Sequence, residues 1–270
     1  VMNIDTYLKR IEYLGSLEPT LETLRALHRQ HLLTIPYENL DIHLGRRLEL
    51  NEERIFEKIV LEKRGGWCFE MNGLFARVLR DLGFEVELLS GAVGRERVSD
   101  EAEGNHLVLL VKLPQPYIAD VGFGDLPEPL PLGEGDYQQG FLTVRLTKEA
   151  ERWTFHNHEY GGAKGFDFTL QPHQLADFTT QCHRLQTSPD SGFVQKTVCQ
   201  RFLPDGFATL RGAVLTTVKA KGVTKRVIDS EKEYKQILRD LFGLELEVSD
   251  LYAKVWQRHL DWMASGGVVQ

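Results

Sequence analysis

The stretch Arg64-Gly65-Gly66-Trp67-Cys68-Phe69-Glu70-Met71-Asn72 runs into Leu74, Phe75, Val78, Leu79 and Leu82 and is closed by Gly83. Apolar residues at steps of three and four predict a helix that begins near Cys68, and Gly83 suits a left-handed cap at its end. Beyond Gly83 the period shortens to two. Val86 and Leu88 alternate with Glu85 and Glu87, and the apolar run Leu107 to Leu113 and the segment Tyr117 to Val121 then read as strands. The change from helical to sheet patterning at this point indicates an α+β fold.

Upstream, the pattern is helical. Ile4, Tyr7, Leu8, Ile11 and Leu14 follow candidate caps at Asn3 or Asp5. Pro19 and Thr20 open a second helix, with Leu21, Leu24, Leu27, His28, His31 and Leu32 on one side, and Pro36 bars its continuation. Asn51 caps a third, with Glu52 and Glu53 in its positive first turn and Ile55, Phe56, Ile59 and Val60 inward, ending at Gly65 and Gly66. Downstream, alternation returns at Leu142 to Leu146, Trp153 to Phe155 and Phe166 to Leu170, which suggests an antiparallel barrel or curled sheet. Thr187 to Gly192 reads as a linker. After it come strands at Val194 to Phe202, Ala208 to Val218 and Val223 to Ile228, with a hairpin turn at Gly222. Two helices end the pattern, one with Ser230 and Glu233 in capping-box positions, the other starting near Ser249 and carrying Leu251, Val255, Trp256 and Leu260. The order is helices, then a barrel, then a small α/β unit.

The 270 residues are 42% hydrophobic and 26% charged, the composition of an ordinary globular protein. Their 32 Lys and Arg against 39 Asp and Glu give a net charge of −7, which argues against a general nucleic-acid or anionic-membrane binder. The apolar run near Leu107 to Val111 falls far short of the roughly 20 residues of a membrane span or the roughly 7–15 of a signal core, so a cytoplasmic protein is the expectation. Three cysteines, Cys68, Cys182 and Cys199, fit a reducing compartment better than a disulfide framework. Val1, ahead of Met2, is set aside.

Cys68 follows two glycines and opens a helix. Unpaired amides and the positive end of the helix dipole favour a thiolate there, so a lowered thiol pKa is expected, and the amide of Cys68 could face a developing oxyanion. The same position equally suits a buried cysteine packed as a small hydrophobe. His106 at the entry to one strand and Asp120 at the end of the next have the chemistry to hold and orient such a thiolate. Taken singly, a loop histidine and a strand-end turn former would account for them. Asp120-Val121-Gly122-Phe123-Gly124 adds a Gly-rich turn that suits close approach to a ligand, or a simple bend, but Asp125, Leu126 and Pro127 cannot open the helix of a dinucleotide fingerprint. No Cys-x-x-Cys, His-Glu-x-x-His, Walker loop or Gly-x-Ser-x-Gly elbow occurs, so no metal is expected. His28 and His31 share a helix face as a packed or surface pair. Lys219, Lys221, Lys225 and Arg226 could meet phosphates, or keep a hairpin edge soluble.

With these residues in view, the sequence resembles the arylamine N-acetyltransferases over most of its length. The family's Arg-Gly-Gly-x-Cys-x-Glu-x-Asn pattern is present at Arg64 to Asn72, Ile35-Pro36-Tyr37-Glu38-Asn39-Leu40-Asp41-Ile42 resembles its early Pro-Phe-Glu-Asn-Leu segment, and Asp120 to Gly124 matches its Asp-Val-Gly-Phe-Gly motif. Ser188-Pro189 and Cys199-Gln200-Arg201 resemble its interdomain segment. Tyr37 stands where phenylalanine is more usual, and Asp125 where another glycine is common. These departures bear on substrate preference and loop shape rather than on reaction class.

The resemblance implies a helical bundle (1–84), a β-barrel (85–187) and an α/β lid (188–270), with a core like that of cysteine proteases and transglutaminases. It implies Cys68 as acetyl-accepting nucleophile, His106 as its ion-pair and proton-transfer partner, and Asp120 orienting His106. Acetyl-CoA would be the donor cosubstrate and an arylamine or hydrazine the acceptor in a ping-pong cycle. Tyr37, Val93 and Phe123 are the expected acceptor-pocket residues, and Asn105, Gly124 and Phe202 the expected coenzyme A contacts. A hydrolase or transglutaminase-type acyl transferase is the alternative, because the triad alone does not decide whether water or an amine attacks. A noncatalytic ligand-binding protein on the same scaffold is a third.

Overall fold

Asn3, Thr20 and Asn51 each accept backbone N–H groups of the turn that follows, and each starts a helix. In the computed structural model, which describes residues 2–269, these are α1 (Ile4–Arg10), α2 (Leu21–Thr34) and, after the short strand β1 (Tyr37–Glu38) and the single turn α3 (Leu40–His43), α4 (Glu52–Phe56). Val1 lies outside the described residues. The first helix is shorter than its periodicity predicted: Glu12 adopts φ +56°, the chain turns away, and Leu14 is fully exposed. The third helix also stops early. It widens into a π-helical turn at Glu57–Leu61, and an extended segment leads from there to the glycines.

Helix α5 (Cys68–Asp81) buries eleven residues on both sides of its axis and ends at Leu82, with Gly83 at φ +88° as expected. Behind it lies an antiparallel sheet of β2 (Glu85–Val93), β3 (His106–Lys112), β4 (Tyr117–Ala119), β5 (Leu130–Pro131), β6 (Gly135–Gln139), β7 (Leu142–Glu149), β8 (Arg152–His156) and β9 (Gly165–His173), in the order β5-β4-β3-β2-β9-β8-β7-β6. The apolar run of β3 is continuous because both faces are covered. Leu107, Leu109 and Val111 pack with the helices, while Val108 and Leu110 face a second core. That second core joins Leu130 near one sheet edge to Val144 and Leu146 near the other, so the sheet curls into a nearly closed barrel. The turn α6 (Arg95–Val98) interrupts the chain between β2 and β3.

Helix α7 (Thr179–Thr187) follows the barrel strands, and the third region holds α8 (Gly192–Gln195), β10 (Val198–Leu203), β11 (Gly206–Arg211), β12 (Val214–Lys219), β13 (Gly222–Val227), α9 (Glu231–Phe242) and α10 (Ser249–Ala264). Two strand boundaries differ from expectation. Residues 192–195 form a helical turn capped by Ser191, so the strand begins only at Val198, and Gly212 splits Ala208 to Val218 into two strands of a hairpin. One face of this sheet packs on α9 and α10 through Leu210, Leu215, Tyr234, Leu238 and Leu251. Its outer edge is completed by β1 from the other end of the chain, with Tyr37 opposite Gln200.

Candidate active site

The ends of α5, β3 and β4 converge. Cys68 occupies the first turn of α5 and is buried, with the backbone amides of Phe69 and Leu107 near enough to act on its thiol. Leu107 is the residue after His106, so the start of β3 lies against the cysteine. On the opposite side Gly122 leaves room for nothing larger: a Cβ there would stand 2.7 Å from both Cys68 Cα and its carbonyl oxygen.

His106 is buried, with Phe166 and Phe123 at centroid distances of 4.8 and 5.3 Å. Its Nε2 lies 2.6 Å from Asp120 Oδ2. Because an ionised carboxylate only accepts, Nε2 carries the proton and Nδ1 is the nitrogen left free to exchange one. The other oxygen, Asp120 Oδ1, accepts from Asn72 Nδ2 at 2.7 Å, Gly122 N at 2.9 Å and Phe123 N at 2.8 Å. Asn72 also donates to Leu107 O at 2.5 Å and accepts from Val121 N at 2.9 Å.

Beneath Cys68 lies a buried ion network. Lys58 Nζ sits 2.9 Å from Glu70 and 2.9 Å from Asp41, and Arg64 bridges Glu38 at 2.7 Å and Asp41 at 2.9 Å. Glu70 also accepts from Trp67 N at 3.2 Å, which closes the helix start. Burial works against the Lys58 ammonium, but Glu70, Glu38 and Asp41 outweigh it and hold its pKa above the ordinary lysine value.

The electrostatics of Cys68 differ from the expectation of a lowered thiol pKa. Burial pushes the thiol well above its ordinary value, Asp120 and Cys182 push the same way, and the amides of Phe69 and Leu107 recover only part. A helix start at the surface favours a thiolate, whereas this one is buried, and desolvation wins.

The remaining predicted residues divide. Tyr37 is half-buried, with Cys68 close enough to add to the burial that raises its phenol. Phe123 touches His106, and both Phe123 and Val93 pack against the barrel core. Asn105 has both polar ends engaged with the Val93 backbone, at 2.8 and 2.9 Å. Gly124, at φ +85°, receives a hydrogen bond from the Gln200 side chain, and Phe202 is buried against Phe207. Of the basic run, Lys219 pairs with Asp205 and Arg226 with Glu233, while Lys225 lines a cleft. Sequence reasoning missed His28, whose Nε2 accepts from Asp120 N at 3.2 Å, and gave no role to Asn72. Spacing carried a signal for Asn72, since i and i+4 share a helix face with Cys68.

A cleft of about 470 Å³ runs over the barrel-facing side of β10–β13, bordered by Tyr160 and the end of α10. Its lining contains Lys196, Arg211, Lys225 and Arg258 and no acidic residue. Gln200, which lines it, reaches Gly124 and, at 2.9 Å, Asp125, at the far end of the Asp120 loop. Among the described residues, no group of three or more His, Cys, Asp or Glu is arranged to hold a metal, and no helix is long and apolar enough to cross a membrane. All three cysteines are free and buried.

A family model described as N-acetyltransferase matches residues 20–251. Arylamine N-acetyltransferase 1 of Homo sapiens is 34% identical over 276 residues, covering 91% of this chain and 95% of the relative. Arylamine N-acetyltransferase 2 of Mus musculus is 34% identical over 282 residues with the same coverage. Among solved structures, the arylamine N-acetyltransferase of Salmonella typhimurium superposes with a TM-score of 0.86 at 31% identity, over 94% of this chain and 98% of that one. That of Mycobacterium marinum in complex with CoA gives 0.84 at 30% identity, over 95% and 98%. The chain therefore belongs to the arylamine N-acetyltransferase family and is a transferase of acetyl groups.

Proposed function

We propose that this enzyme transfers the acetyl group of acetyl-CoA to arylamines and hydrazines through an acetyl-Cys68 intermediate, with His106 and Asp120 as proton-transfer partner and orienting acid. The observation that carries the reading is the 2.6 Å contact between His106 Nε2 and Asp120, which leaves Nδ1 free on a histidine whose chain neighbour Leu107 turns its amide toward Cys68. A buried thiol does not ionise into water here. It ionises by passing its proton to His106, so that thiolate, imidazolium and carboxylate form a chain of alternating charge. The thiolate attacks the thioester carbonyl, backbone amides at the start of α5 stabilise the oxyanion, and coenzyme A leaves with the proton from His106. The amine then attacks the acetyl-cysteine, gives its proton to His106, and expels the Cys68 thiolate.

In this reading Tyr37, Val93 and Phe123 wall a flat acceptor pocket. The acid-free cleft receives the phosphate-bearing arm of the donor, in a chain whose net charge of −7 would otherwise repel it. Gly124, Asn105 and Phe202 are the proposed coenzyme A contacts. The regions 1–84, 85–187 and 188–270 supply nucleophile, acid–base pair and lid. Three free cysteines suit a cytoplasmic setting, and acceptors of this class suit a role in xenobiotic metabolism.

The test is intact-protein mass spectrometry after brief exposure to acetyl-CoA, followed by peptide mapping and addition of an aromatic amine. One acetyl group on Cys68 that disappears with the amine is the expected result. No adduct with acetyl-CoA, or an adduct discharged equally fast by water alone, overturns the reading.

A further inference from the structure

We propose that His28 is a positioning residue for the acid of the triad, clamping the Asp120–Pro127 loop from helix α2. The proposal rests on the Cys68–His106–Asp120 reading above.

The imidazole is fully buried and bonded on both sides: Nε2 to Asp120 N at 3.2 Å, and Nδ1 to Pro127 O at 3.2 Å. These partners fix its tautomer. A backbone N–H can only donate and a carbonyl can only accept, so Nε2 is bare and Nδ1 carries the proton. Burial drives its pKa down to about 4, which keeps the ring neutral and the Nε2 lone pair available near neutral pH.

The two bonds span the segment that carries Asp120, Phe123, Gly124 and Asp125. This segment has no regular secondary structure of its own, because the β3–β4 ladder ends at Leu109 and Ala119. The Asp120 carboxylate is aimed by Asn72 and by two amides of its own loop, but the backbone from which it projects is held by His28. Packing alone does not call for an imidazole there. The ring shares the buried side of α2 with Leu24, His31 and Leu32 and lies edge-on to Phe75 at 5.8 Å, where a leucine or phenylalanine would bury with no polar atom to satisfy. A shift of about 1 Å in the Asp120 backbone would spoil the His106 contact, and misplacement on that scale can cost about 100-fold in rate.

The experiment compares wild type, His28→Phe and His28→Gln by rapid-quench mass spectrometry of Cys68 acetylation across acetyl-CoA concentrations, with thermal melts alongside. Glutamine can accept and donate as the imidazole does, and phenylalanine can do neither. The expected result is a loss of about 10–100-fold in the saturating rate for His28→Phe, with the half-saturating acetyl-CoA concentration little changed, and substantial recovery in His28→Gln. A folded His28→Phe that acetylates within twofold of wild type overturns the proposal, as does a His28→Gln no better than His28→Phe. Should His28→Phe not fold, ¹⁵N NMR of the wild type decides: a bare Nε2 coupled to the Asp120 amide supports the clamp, and a protonated Nε2 refutes it. A wild type that never acetylates Cys68 would instead refute the underlying mechanism.

Discussion

Asn72 Nδ2 donates to Asp120 Oδ1 at 2.7 Å, and Asn72 stands one helical turn beyond Cys68 on α5. The spacing between nucleophile and acid is therefore set by one turn of helix and one hydrogen bond, with no loop in between.

Asn72→Ala removes that bond and leaves Val121 N without its acceptor. Stability should fall by roughly 1–3 kcal/mol, and acetylation of Cys68 should slow while the fold survives. Urea melts and mass spectrometry read the two effects, and a variant with wild-type rate would detach Asn72 from the site.

Gly122→Ala should be far more disruptive than its size suggests. The added carbon would lie 2.7 Å from backbone atoms of Cys68, which cannot swing aside, so a loss above about 2 kcal/mol and near-complete inactivity are expected. Gly192→Ala is the control, because nothing lies within 4 Å of its added carbon. Comparable melting temperatures for the two variants would contradict this account.

Lys58→Met leaves Glu70 and Asp41 facing each other in a buried space. The expected cost is about 3–5 kcal/mol, as for other broken buried ion pairs, measured by denaturant titration. A loss under about 1 kcal/mol would mean that water reaches the network.

Acid should destabilise the protein above the carboxylate range. Between pH 6.5 and about 4 the unfolded chain binds a proton at residue 28 that the folded protein does not, so stability falls as pH falls through that window. The full contribution is roughly 3 kcal/mol, and burial lowers His31 in the same direction. Denaturant melts of His28→Gln should show a shallower slope over this window, and an unchanged slope would show that His28 is protonated in the folded state.

Arg211→Glu tests the cleft. The half-saturating acetyl-CoA concentration should rise at least several-fold and the salt dependence of binding should weaken, with free Cys68 still alkylated at the normal rate. Unchanged saturation would move the donor's phosphates elsewhere.

Much of this was legible in the sequence because local rules and tertiary needs agree. Thr20, Asn51 and Ser230 cap where their types predict, and the step from period 3.6 to period 2 after Gly83 marks the passage from α5 to the barrel. Local rules failed where a single backbone angle intervened, as at Glu12, which strands Leu14 in solvent. The Cys68 environment was unreadable for a different reason. Its thiol answers to burial by segments distant in sequence, and nothing near residue 68 announces that β3 and the Gly122 loop will pack against it. His28 was passed over similarly, since an apolar helix face carrying a histidine does not say which amide will come to meet it.

The two residues of β1 lie early in the chain, yet their strand partner is β10, far toward the other end. A ribosome releases Tyr37 and Glu38 long before Gln200 and Cys199 exist to pair with them. The glycines leading to Cys68 lean on this same strand, through a bridge between Tyr37 and Gly66. Nascent chains thus hold the approach to Cys68 without the strand that pairs with β1 until residues 198–203 have been made, and the setting of the cysteine is completed only when β10 zips onto β1.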